Sequence, residues 1–137
     1  MRRLARAMRL LHDAWRAAAG VRIDLPSDMV TCFPELAEVR WRHGGIPLLM
    51  GGWFLGQRAV AGFTLGRTVF LADGAAASAR LVLHELAHVR QYRRDRAFVL
   101  RYLWESVRRG YAGNRYEAAA DQFAEEALWS ATQRRPS

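Results

Sequence analysis

At 137 residues, with 51% hydrophobic and 25% charged side chains, the chain has the size and composition of one globular domain, 1–137, and is too short for two. Its net charge is +8 and all 21 basic residues are arginine, spread over the whole length; this reads as a solvated basic surface and points to no specific nucleic-acid partner. The single cysteine, Cys32, excludes an internal disulfide and a cysteine-based zinc site, and it suits a reducing compartment.

The first predicted element lies in MRRLARAMRLLHDAWRAAAG. Leu4, Met8, Leu11, Trp15 and Ala18 recur every three to four residues and line one face, while Arg2, Arg6, Arg9, Asp13 and Arg16 take the other. The pattern predicts an amphipathic helix ending near Gly20. The charges break any apolar h-region, so this is no signal peptide. No stretch is long and apolar enough to span a bilayer. The expected location is therefore cytoplasmic. The expected place of the helix is against the core; the alternative is weak contact with an anionic membrane surface.

From Val21 to about Met50, Pro26, Pro34, Gly44, Gly45 and Pro47 punctuate the chain. Loops with short extended pieces follow, one of them a strand over Glu38–Arg42. Residues 46–72 are rich in Gly, Phe, Val, Leu and Thr. They predict strands joined by glycine turns, the last two flanking Gly66. DGAAAS, 73–78, opens a helix expected over Ala77–Asp95. A second helix, 97–109, carries Phe98, Val99, Tyr102, Leu103 and Val107 and stops at Gly110. A third, 115–131, carries Ala120, Phe123, Ala124, Ala127 and Leu128, and the tail TQRRPS frays. Trp41, Trp53 and Trp104 are expected in the core, and His12 and His43 on the surface or in loops.

The first of these helices holds LHELAHVRQY, 83–92. Residues four apart on a helix are neighbours, so His84 and His88 can aim their ring nitrogens at one atom. Glu85 is turned about 100° from His84; it does not easily ligate the same ion but reaches a water bound to it. This is the H-E-x-x-H arrangement of zinc hydrolases, and a pair of satisfied helix histidines is its bland counterpart. Downstream, GNRYEAAADQF places Glu117 and Asp121 four apart at the border of an apolar stripe. Carboxylates there need a cation or strong donors. For Glu117 a capping box with Asn114 is the alternative.

HELAH followed by EAAAD resembles the HExxH…ExxxD pattern of the gluzincin metallopeptidases, the group that includes thermolysin. The resemblance implies one zinc ion per chain held by His84, His88 and Glu117, with Glu85 as general base and Asp121 supporting a ligating histidine. FTLGRTVFLADG…LVLHELAHVRQY…NRYEAAAD is also similar to short bacterial zincin-like domains of uncharacterised function, some associated with contractile injection systems. The similarity spans about residues 62–125. Two features depart from the pattern. Arg90 stands where active zincins usually carry an apolar residue. The 16 residues that follow Asp121 here are too few for the large second subdomain that closes the cleft in thermolysin-like enzymes, so a protein partner completing the cleft is an expectation.

The expected fold is a minimal α+β zincin-like domain: an N-terminal helix, a small sheet, and three helices carrying the metal site. The expected function is peptide hydrolysis by a water that zinc activates and Glu85 deprotonates. Tyr111, Arg115 and Tyr116 are candidate donors to the oxyanion. By resemblance, the strand at 67–72 is the edge that pairs with an extended peptide substrate. The alternatives are a catalytically silent zincin fold used for binding or assembly, and a basic nucleic-acid or membrane-surface protein.

Overall fold

The two-residue reversal between the last two strands needs a residue at positive φ. Gly66 has φ +63° and, with Arg67, closes a hairpin between β3 (Gly62–Leu65) and β4 (Thr68–Leu71). The computed structural model of the chain describes residues 2–47, 49, 60–72 and 78–134. Before the hairpin lie helix α1 (Arg2–Ala19), strand β1 (Val21–Arg22), helix α2 (Ser27–Cys32), a 3-10 turn (Pro34–Glu38) and strand β2 (Arg40–His43). After it come helices α3 (Ala79–Arg94), α4 (Phe98–Arg109) and α5 (Arg115–Gln133). The architecture is α+β, with the site on the C-terminal helices. Among the described residues no helix is long and apolar enough to cross a membrane.

The four strands are ordered β1-β2-β4-β3. β2 runs parallel to β4 with Trp41 opposite Val69, and β3 and β1 are antiparallel to their neighbours. One face of the sheet carries Trp41, Val69 and Leu71, which pack with Val82, Leu83, Leu86 and Val89 of α3, Ala124 of α5, and Leu36 and Val39. Each buried Val or Leu contributes roughly 1.5–3 kcal/mol. From Val82 to Val89 α3 is buried on almost every side, because it lies between the sheet and α5. That burial fixes the backbone under His84, Glu85 and His88.

The turn before β2 explains a shifted boundary. The strand expected over Glu38–Arg42 begins at Arg40, because Pro34 starts a 3-10 turn that runs to Glu38. The stretch expected as loops also holds α2. Helix α3 is described from Ala79, capped by Ser78, whose Oγ accepts from the Leu81 amide at 3.2 Å. Residues 73–77, where its start was expected, lie outside the described residues, as do Trp53, most of the predicted strand region before residue 60, and the last three residues of the tail. α5 continues to Gln133, past the expected end at 131.

Two expectations about packing are corrected. α1 forms but does not lie against the core: residues 5–17 are all exposed, with Met8 70%, Leu11 71% and Trp15 67% exposed. The helix is gripped at its C-terminal end, where Arg42 donates to the Ala19 carbonyl at 3.1 Å and the Gly20 carbonyl at 3.0 Å. His12 is exposed on the same helix, and His43 is half-buried in β2. Trp104 is exposed rather than core, as is Val107. In α4, Phe98, Tyr102 and Glu105 occupy the inward stripe at i, i+4 and i+7. Leu100, Trp104 and Val107 repeat the same spacing two residues later, about 200° round the helix, and face out. Trp41 is buried, with its indole N–H donating to the Leu36 carbonyl at 3.0 Å.

Candidate metal centre

His84 and His88 stand one turn apart on α3, and the first turn of α5 brings Glu117 against them. Asn114 sets that first turn. Its Oδ1 accepts from the Tyr116 amide at 2.9 Å, and its Nδ2 donates to the Tyr102 carbonyl and the Ser106 hydroxyl. Asn114 is the N-cap, but no capping box forms with Glu117. The Asn114 amide goes to the Tyr111 carbonyl, and the Glu117 side chain turns to the histidines.

The three side chains converge. His84 Nε2 lies 3.2 Å from His88 Nε2, and the Glu117 carboxylate straddles the pair, with Oε2 3.1 Å from His84 Nε2 and Oε1 3.2 Å from His88 Nε2. Ligand atoms about 2.0–2.1 Å from a tetrahedral ion stand about 3.3 Å from one another. The triangle therefore fits a metal ion, and His84, His88 and Glu117 can hold one.

The far sides of the rings sharpen the point. His84 Nδ1 faces Asp121 Oδ1 at 3.0 Å, and His88 Nδ1 faces Gln91 Oε1 at 2.8 Å. Gln91 Oε1 is fixed as an acceptor, because its Nε2 donates to the Tyr116 carbonyl at 3.0 Å. Both Nδ1 atoms thus meet acceptors and carry protons. The two Nε2 atoms are then turned to each other and to the Glu117 carboxylate in a buried place. Such a cluster needs a cation.

The electrostatics agree. Burial opposes charge on His84 and His88, yet Glu117 outweighs it and holds both rings above their ordinary value. Burial alone would raise Glu117; the two histidines and then Tyr102 hold it far below the usual carboxylate range. Tyr102 donates to Glu117 Oε1 at 2.5 Å. Its hydroxyl is pushed well up by burial and then by Glu117, so it stays a donor, and Tyr111 is raised in the same way.

Glu85 stands apart from the three converging groups. It is 4% exposed, and its Oε2 accepts from the Thr64 hydroxyl at 2.6 Å under β3. Burial raises its pKa, partly offset by His88 and Thr64. Arg115 is exposed and donates to the Tyr116 hydroxyl at 3.1 Å, away from Glu117. Arg90 lies on the other side of α3 from His88. It clasps Glu35 with two nitrogens and stacks over Phe123 with its guanidinium 4.4 Å from the ring centre, so it tightens the 3-10 turn to α3 and does not intrude on the centre.

A family model described as the eCIS core domain, the core of extracellular contractile injection systems, matches residues 55–96. The matched segment takes in β3, β4 and α3 with His84, Glu85 and His88, and it stops before Glu117 and Asp121. The match associates the chain with a protein assembly. No curated protein and no solved structure matches the chain.

Gln91, Tyr102, Thr64 and Gly62 were not singled out in the sequence. Gln91 follows His88 by three residues, a spacing that puts both on one face, and this was a usable signal. Tyr102 was placed with the inward apolar residues; its hydroxyl at the end of that stripe needed a partner, and Glu117 is that partner. The strand expected at the sheet edge, 67–72, is interior instead. Among the described residues the edges are β1 and β3, and β3 lies outside β4 because the hairpin folds back on its outer side.

Proposed function

We propose that the chain is a zinc-dependent metallopeptidase. The observation that carries this reading is the triangle of His84 Nε2, His88 Nε2 and the Glu117 carboxylate, with a buried carboxylate, Glu85, on the residue next to the first ligand. Two imidazoles and one carboxylate suit zinc, and the three positions leave a fourth open. A zinc ion held there supplies Lewis acidity and a water acidified to a pKa of about 7.

The chain's own residues do the rest. Asp121 and Gln91 fix the tautomer and tilt of the two rings. Tyr102 holds one oxygen of Glu117. Glu85 takes the proton of the attacking water on its carboxylate and returns it to the leaving amine. Tyr111, close to Glu117 and kept protonated, is the best placed of the sequence-named donors to the oxyanion. The substrate is an extended peptide that adds to β3. Ala61 offers its carbonyl to the Ala72 amide, so the alternation of antiparallel pairing turns the amide and carbonyl of Gly62 and the amide of Thr64 outward, while the Thr64 carbonyl is held by Tyr92.

Glu85→Gln tests this. The variant should keep its zinc and its fold and lose about 10²–10⁴-fold of hydrolysis of unfolded proteins and of a mixed peptide library. A variant as fast as wild type removes the general base. The family match favours a second reading, a metal-holding fold that serves assembly without catalysis. If wild type and Glu85→Gln both bind zinc and neither cleaves anything, that reading replaces the first.

The exposed stripe of α1 adds one contact to the proposal. Met8, Leu11 and Trp15 lie bare beside Arg6, Arg9 and Arg16, the arrangement of a helix that rests on an anionic bilayer. Sedimentation with vesicles containing phosphatidylglycerol should pull the protein down, and replacing Met8, Leu11 and Trp15 by Ser should abolish this. Equal binding to neutral vesicles contradicts it.

A further inference from the structure

We propose that Gly62 and Thr64 form the seat of the Glu85 carboxylate and are positioning residues for it; the catalytic meaning of the seat rests on the peptidase reading above. The two residues are two apart on β3, so their Cα–Cβ directions share one face, the face toward α3. Thr64 is buried, and its hydroxyl holds Glu85 Oε2 at 2.6 Å. Its carbonyl in turn accepts from the Tyr92 hydroxyl at 3.3 Å, which ties this part of the strand to the same helix. At Gly62 the carboxylate fills the space a side chain would take. An ideal Cβ there would stand 2.5 Å from Glu85 Oε1, 2.9 Å from Cδ and 3.1 Å from Cγ. Glycine weakens a strand and offers no side chain to pack, so a glycine within β3 is accounted for by this close approach.

The seat also separates the two oxygens of Glu85. Thr64 occupies Oε2. Oε1 lies under Gly62, clear of that hydroxyl, and is the oxygen left to accept a proton. It sits beside the residue whose backbone faces outward along β3, the last strand on that side of the sheet among the described residues. The same strand therefore positions the base and presents the pairing groups for an extended peptide. A side chain at position 62 would push Oε1 off its place even though no metal ligand is touched.

The test is a set of variants read by zinc content, thermal midpoint and hydrolysis. Gly62→Ala should keep one zinc per chain, lower the midpoint, and lose about 100-fold in kcat with little change in KM, the scale of a misplacement near 1 Å. In a Glu85→Ala background the same change should no longer lower the midpoint. Glu85→Asp, one methylene shorter, should restore part of the midpoint and of kcat to Gly62→Ala while impairing wild type. Thr64→Val, of the same shape, should lose kcat, and Thr64→Ser should retain it. The seat is overturned if Gly62→Ala lowers the midpoint equally with and without Glu85, or if Gly62→Ala and Thr64→Val both keep full kcat. A wild type that cleaves nothing would remove the peptidase reading alone, because the coupling between positions 62 and 85 is read from the thermal midpoint.

Discussion

Asp121 Oδ1 sits 3.0 Å from His84 Nδ1, across the packed faces of α5 and α3. This contact fixes which nitrogen of His84 carries the proton and leaves Nε2 to the shared point between His88 and Glu117. Arg80 holds the same Asp121 oxygen from the solvent side at 3.1 Å. Asp121→Ala should therefore weaken zinc about 10–100-fold without abolishing it. A chelator titration of the two proteins reads this directly, and equal affinity would reduce Asp121 to a surface partner of Arg80.

Gln91 does for His88 what Asp121 does for His84, through a neutral amide. Gln91→Leu should weaken zinc in the same range in the same titration, and the double variant should be weaker than either single one, by an amount that need not be their sum because both histidines serve one site. A double variant no weaker than either single would show that one ring alone carries the effect.

Tyr102→Phe removes the donor on Glu117 Oε1 and keeps the ring that packs on Phe98 and His88. A hydrogen bond to a charged partner is worth about 1.5–3 kcal/mol. Zinc affinity should fall by about one to two decades, and the fold should persist by circular dichroism. An unchanged affinity would place Tyr102 among the packing residues only.

Glu35 gives the pH dependence. Hydrogen bonding to Arg90 holds its pKa below the ordinary 4.5, against the opposing pull of burial. A carboxyl lowered on folding contributes stability that is present above pH 4.5 and lost as pH falls through the folded value. Acid unfolding of Glu35→Gln should therefore be less steep below pH 4.5 than that of wild type. Matching pH profiles would mean that the Arg90 clasp contributes nothing to folding.

The helices and the ligand-bearing faces were legible in the sequence because their signals are local. His84/His88 and Glu117/Asp121 each lie one turn apart, and the apolar stripe of α3, with Val82, Leu86 and Val89, repeats at helical spacing on the side opposite the histidines. The partner of a face is not a local property. α1 has the pattern of a packed helix and no partner for its stripe, and Trp104 belongs to the second of two stripes on α4, of which the fold uses the other. The edge position of β3 depends on the parallel pairing of β2 with β4, which joins residues far apart in the chain. The place of Gly62 and Thr64 depends on α3 lying beneath them, a contact across some twenty residues of chain that no local pattern carries.

The buried triangle of His84, His88 and Glu117 can hold a metal ion, and elemental analysis tests this most directly. Wild-type protein purified without added metal, set beside Glu117→Ala, should contain about one zinc per chain, and the variant should contain far less. Wild type without metal and without a thermal shift on adding zinc would contradict the account, and so would Glu117→Ala that keeps its full complement.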